Sequence, residues 1–132
     1  MGLHVNTSSR LPIYQQLAQQ IREAIARGEL RPEAGLPSVR QLSRELVVNP
    51  NTVARAYTEL EREGLLVSRP GRGIYVARPH TDLTRSARDR RLTEQLDRWL
   101  TEAVHLGFSA EQVLDLVRAR VRQFQWNAEG AA

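Results

Sequence analysis

The 132-residue sequence has neither cysteine nor lysine. Without cysteine, disulfide frameworks, thiolate metal sites and cysteine nucleophiles are excluded. Long apolar runs are missing too: none approaches the roughly 20 residues needed to cross a bilayer. The opening Met1–Val5 lacks a charged-then-apolar leader pattern. We therefore expect a soluble, cytoplasmic protein with no membrane partner. Signs of an enzyme are also sparse. Gly71-Arg72-Gly73 has neither the glycine spacing nor the lysine of a phosphate loop. His4, His80 and His105 are far apart in sequence and read as surface residues, although Asp82 near His80 leaves a metal contact open. The expectation is no enzyme, no cofactor and no metal.

What is present is arginine. All 19 basic residues are arginines, against 15 acids, so the net charge is +4 and the sequence pI about 10.6. Genomic base composition alone produces such a bias, yet arginine is also the side chain that forks onto phosphates and guanines. The charge is uneven. Residues 1–79 hold 11 arginines against 7 acids, whereas residues 80–132 hold 8 against 8. Trp99, Phe108, Phe124 and Trp126 all lie in the second part, and the three tyrosines in the first. A basic module of residues 1–79 is therefore joined to a neutral, apolar-rich module of residues 80–132. Pro79 marks the joint, near 78–84.

Apolar spacing places the elements. Ile13, Leu17, Ile21, Ala24 and Ile25 form one face of a first helix starting near Pro12 and stopped by Gly28. Pro32, Gly35 and Pro37 mark a connector, with a short strand near Leu36. Val39, Leu42 and Leu46 predict a short second helix after Ser38, closed by Val47-Val48. Asn49-Pro50 is a restart signal, an N-cap residue followed by proline in the first turn. The third helix runs to about Glu63, burying Val53, Ala56, Tyr57 and Leu60, and Gly64 ends it. Residues 65–69 and 74–77 flank Pro70-Gly71-Arg72-Gly73 and read as a hairpin. Helix, helix, short turn, helix, hairpin is the order of a winged helix-turn-helix.

The second module reads as two helices. Leu92, Leu96, Trp99, Ala103 and Leu106 recur at 4, 3, 4 and 3 until Gly107. Ser109 with Gln112 forms a capping box opening a last helix that carries Val113, Val117, Val121 and Phe124. Two helices cannot bury two such stripes by themselves; they need either the first module or a second copy of the chain, and we expect the second, with these nine residues at a homodimer seam. A small-molecule pocket lined by Trp99, Phe124 and the valines is the less favoured alternative, since two helices leave little room for one. The fold class is thus mostly α with a small β-hairpin, a winged helix-turn-helix domain followed by a two-helix dimerisation tail.

The third helix carries Asn51, Arg55, Thr58 and Arg62 opposite its core side, with Thr52 beside Asn51. Helix-start N–H groups attract phosphate, and short polar side chains there reach base edges in a major groove. Arg55 is one turn deeper, within reach of guanine or phosphate. Alone, such a face reads equally as solvated surface. The hairpin tip, Gly71 and Arg72 next to Arg69, lets a backbone approach phosphate or enter a minor groove. With Arg40 on the second helix it points to double-stranded DNA.

These residues carry a resemblance. Leu36-Pro37-Ser38-Val39-Arg40-Gln41-Leu42, Asn49-Pro50-Asn51-Thr52-Val53-Ala54-Arg55-Ala56-Tyr57, Leu60-Glu61, Glu63-Gly64-Leu65 and Gly71-Arg72-Gly73-Ile74-Tyr75-Val76 resemble the GntR family of bacterial transcription regulators. The Asn-Pro-Asn-Thr-Val form with a short helical tail is similar to the YtrA subfamily. The resemblance implies a winged-helix domain binding an inverted-repeat operator as a homodimer, most often as a repressor, with control of a transport operon. It implies DNA contacts by Arg40, by Asn49, Asn51 and Thr52, and by Gly71 and Arg72, and we expect Ser38 to join them. Two departures stand out. Many members place arginine where this chain has Ala54; here it is Arg55, rotated about 100° on the helix. Many also have Pro-Gly before the second helix where this chain has Pro32-Glu33, which leads us to expect a different turn. Some relatives carry a pyridoxal-phosphate aminotransferase-like domain, for which this chain is too short and lacks the lysine. The sequence names no small-molecule effector. Two alternatives remain open: a winged-helix module for an acidic protein partner, and an architectural DNA binder that reads no sequence.

Overall fold

A computed structural model describes residues 2–79 and 81–126. His80, within the expected joint, lies outside the described residues. The chain divides into two compact units, residues 1–79 and 80–132.

In the first unit, α1 (Ile13–Ala26) follows Pro12 at its N-cap. Leu17, Ile21 and Ala24 are buried, while Ile13 and Ile25 are half-buried at the edges of the same stripe. The segment before α1 lies along it through two side-chain amides. Gln20 accepts from His4 N and donates to His4 O, and Gln16 does the same with Asn6. Gln16 is buried, and its amide also donates to Leu11 O at 2.8 Å, so both of its polar atoms are satisfied.

After a connector come β1 (Gly35–Leu36) and α2 (Val39–Leu46). Glu33 in that connector takes φ +69°, the left-handed region that favours glycine. Glu33 makes a left-handed turn without glycine, at a backbone cost of about 1–3 kcal/mol. The same occurs at Val47, φ +54°, which closes α2 with its N–H on Ser43 O. A β-branched residue is an outlier there. The tight turn Val47–Asn49 leads straight into α3 (Pro50–Arg62).

The hairpin forms as β2 (Leu66–Arg69) and β3 (Gly73–Val76), and it gains a third strand. The two-residue β1 pairs antiparallel with β3, giving the order β1-β3-β2. The Arg69↔Gly73 pair closes the ladder at the tip. Leu17, Ile21, Leu42, Val53, Tyr57, Leu60, Leu66 and Val76 form one core shared by three helices and the sheet.

The second unit has α4 (Arg85–His105) and α5 (Ala110–Val121). Ser109 Oγ accepts from Gln112 N, and Gln112 returns the bond to Ser109 N, completing the capping box. The last helix was expected to carry Phe124. It stops at Val121, and Phe124 lies beyond it in a turn whose N–H donates to Val121 O at 3.3 Å. Within the described residues of this unit, only Ala103 is buried.

Candidate nucleic-acid interface

The start of α2 is set by Ser38, whose Oγ accepts from Gln41 N at 3.0 Å. That cap, worth about 1 kcal/mol, places Arg40 exposed in the first turn. Arg44 is exposed one turn on, on the same flank, and sequence reasoning overlooked it. The i, i+4 spacing of the two arginines was the available signal.

Asn49 caps α3, its Oδ1 accepting from Asn51 N at 2.8 Å. Pro50 has no N–H, and Thr52 N donates to Asn49 O at 2.9 Å. The first donors of α3 are therefore already occupied. Bare N–H groups for a phosphate are not what this helix end offers; it offers side chains. Asn51 is exposed and Thr52 half-buried, while Val53, Ala56, Tyr57 and Leu60 face inward. Tyr57 fixes the helix further: its Oη donates to Pro37 O at 2.7 Å, tying α3 to the entry of α2. Burial, reinforced by Glu45, pushes the Tyr57 phenol well above its usual value, so it stays a neutral donor.

Of the two arginines on the outer face of α3, only one is open. Arg62 donates to Glu59 Oε1 at 2.6 Å. Arg55 instead lies over the ring of Tyr14 on α1, 3.8 Å from its centroid. The ring covers one face of the guanidinium and leaves its N–H edge available. The back of α3 is held by Arg22, which donates to both carboxylate oxygens of Glu63 at 2.9 and 2.7 Å. The Glu63 hydrogen bond raises the Arg22 pKa, and Glu63, Glu59 and Glu23 reinforce this against a smaller opposing effect of burial.

At the wing, Gly71 and Gly73 take φ +73° and +109°, conformations that favour glycine. Arg72 is exposed, and its carbonyl accepts from Tyr75 Oη at 2.8 Å, steadying the tip. Arg69 is less available. It is half-buried, stacks 4.8 Å from the Tyr75 ring centroid, and has Glu33 at 3.8 Å. Among the described residues, Arg40, Arg44, Arg55 and Arg72 have no carboxylate at ion-pair distance, whereas Arg22, Arg62 and Arg69 do.

In the second unit the residues expected at a seam are largely open. Leu92 is 67% exposed, Leu96 48% and Trp99 38%, and Leu106, Val117 and Val121 are exposed as well. Val113 and Phe124 are half-buried. Ala103 differs: it is 8% exposed already in the single chain, leaving little of it for a second copy. An open cleft of about 460 Å³ runs along Leu96, Trp99, Val117, Val121, Phe124 and Trp126. No group of three His, Asp or Glu suited to a metal occurs among the described residues.

The family model described as "Bacterial regulatory proteins, gntR family" matches residues 13–76, from the start of α1 to the end of β3. The HTH-type transcriptional repressor YtrA of Bacillus subtilis (strain 168) is 34% identical over 116 residues, covering 88% of this chain and 89% of that protein. The crystal structure of a transcriptional antiterminator from Listeria monocytogenes EGD-e is similar over 98% of both chains, with TM-score 0.78 and 30% identity. The DNA-binding domain of AraR, solved in complex with operator ORX1, matches 58% of this chain and 99% of that one, with TM-score 0.53 and 29% identity. The relatives are transcription regulators and not enzymes. The chain belongs to the GntR family of bacterial regulatory proteins, as a YtrA-like regulator with a winged-helix DNA-binding domain.

Proposed function

We propose that this regulator is a cytoplasmic repressor that binds an inverted-repeat operator as a homodimer. Each α3 enters a major groove through Asn51, Thr52 and Arg55, and each wing meets the adjacent backbone or minor groove through Gly71 and Arg72. Arg40, seconded by Arg44, takes the flanking phosphate. Ser38 and Asn49 act by shaping the two helix starts, and Arg69 joins from the base of the wing tip. The observation that carries this reading is the separation of arginines. Arg40 and Arg44 on α2, Arg55 on α3 and Arg72 at the wing tip lack carboxylate partners, while Arg22, Arg62 and Arg69 have them. Guanidinium groups without partners are the ones available to phosphate and guanine.

The homodimer is supported by the apolar faces that the second unit leaves open, Trp99 foremost. The open cleft is bounded by seam residues, which favours its being covered by a second copy over its holding a small effector. Two recognition helices would read half-sites about one helical turn apart. Control of a transport operon is the narrowest part of the reading and rests on the YtrA likeness. No described helix is long and apolar enough to cross a membrane, which suits a cytoplasmic site of action.

The test is selection of bound sequences from a random duplex pool by the full-length chain, repeated with Asn51, Thr52 and Arg55 all changed to alanine. An inverted repeat is expected from the wild type, with the triple variant losing its preference by about a hundredfold or more. Recovery of no preferred sequence, with binding that vanishes steeply as salt rises, would replace this reading by an architectural one. Negligible DNA affinity would replace it by a protein-interaction module.

A further inference from the structure

Residues 64–79, which hold the wing hairpin, contain Arg69, Arg72 and Arg78 and not one acid. Two of those arginines nevertheless meet a carboxylate brought from elsewhere. Glu33 Oε1 lies 3.8 Å from Arg69 Nη2 and accepts from Arg78 Nε at 3.2 Å. It reaches both from a left-handed backbone at φ +69°, which a residue with a side chain adopts only at a cost. The connector is sewn to the base of the hairpin at this point. Glu33 N donates to Val76 O at 2.7 Å, and Val76 N donates to Ala34 O at 2.9 Å.

The length of the Arg69 contact says what Glu33 supplies. At 3.8 Å it is too long for a hydrogen bond, so it does not aim the guanidinium. The Tyr75 ring does that by stacking. Glu33 adds charge, set against the Nη2 end that a phosphate oxygen would take. As a source of stability an exposed ion pair is poor return for a strained backbone. We propose that Glu33 is an affinity-setting residue: a resident counter-charge that keeps Arg69, and with it Arg78, partly neutralised, leaving Arg72 as the wing arginine open to DNA. This rests on the DNA-binding reading above. Binding then requires Arg69 to exchange a carboxylate for a phosphate. Phosphate contacts carry no sequence information, so the restraint weakens binding to every duplex and leaves the preferred sequence unchanged.

The experiment compares full-length wild type, Glu33→Gln and Glu33→Gly on the selected inverted repeat and on a random-sequence duplex of equal length, between about 50 and 200 mM salt. Thermal unfolding is followed in parallel. Both variants are expected to bind both duplexes about three- to tenfold more tightly at the low end, with the ratio between duplexes unchanged. Their log–log salt slope should steepen by about 0.9 for the phosphate gained, so the advantage shrinks about threefold across that range. Adding Arg69→Ala to Glu33→Gln should cancel the gain. Unchanged or weaker binding by Glu33→Gln overturns the proposal. If its melting temperature also drops, Glu33 is a structural pin; if only binding weakens, Glu33 is what aims Arg69. A wild type that binds neither duplex overturns the DNA-binding reading as well, a result distinct from a wild type that binds and variants that gain nothing.

Discussion

The two units treat the same kind of side chain in opposite ways. In residues 1–79, α1, α2, α3 and the sheet surround one core, and Leu17, Ile21, Val53, Ala56 and Leu60 are sealed from solvent. In the described part of residues 80–132, α4 and α5 carry leucines, valines and Trp99, yet bury only Ala103. An apolar stripe on a helix is a demand for a partner surface. Three helices and a sheet meet that demand within the first unit. Two helices do not, and under the proposed homodimer a second chain covers what they leave open.

Three substitutions test that contrast, taken from the largest expected effect to the smallest. Trp99→Asp puts a charge in the open face of α4. Sedimentation should show monomers, and operator affinity should fall about a hundredfold or more because the second half-site is no longer tethered. The first unit should keep its cooperative unfolding. An unchanged dimer would take Trp99 off the seam and break the comparison.

Leu60→Ala and Leu92→Ala remove the same atoms from the two environments. Leu60 is fully buried, so its loss should cost about 2–5 kcal/mol in chemical denaturation. Leu92 is mostly exposed, and at dilutions where the chain is monomeric its loss should stay within about 0.5 kcal/mol. Equal costs would mean that the second unit has a core of its own.

Tyr57→Phe sharpens the account of the first unit. Losing the bond to Pro37 O should cost about 1 kcal/mol and loosen α3 against the entry of α2. The pH dependence has a definite sign. Burial raises the Tyr57 pKa, so the folded state holds that proton more tightly than the unfolded one. Its contribution is whole below the ordinary tyrosine value near 10 and is lost as pH rises through the raised folded value. Stability measured against pH should therefore fall less steeply above about 10 in the phenylalanine variant.

Much of this was legible in the residues. Asn49-Pro50 restarts a helix because an amide side chain can accept from N–H groups that no preceding turn satisfies, and proline lacks one. Ser109 and Gln112 close their box within four residues. The hairpin follows from a glycine-bearing turn between β-prone runs. Arg55 was legible as an outer-face arginine, but its stack on Tyr14 joins residues that share no local pattern. Arg62 was read as part of the same polar face, and the structure spends it on Glu59. Phe124 fits the 3.6-residue period, but period alone does not say where a helix stops fraying.

The sequence by itself determined the elements and their order, since capping, turn chemistry and apolar period act between residues a few positions apart. It also determined the split between a basic and a neutral unit, because charge is additive along a chain. Only the tertiary structure decided which arginines remain open. Arg22 meets Glu63 across 41 positions and Arg78 meets Glu33 across 45. Neutralisation of a charge depends on distance in space, and that is set by how the core packs.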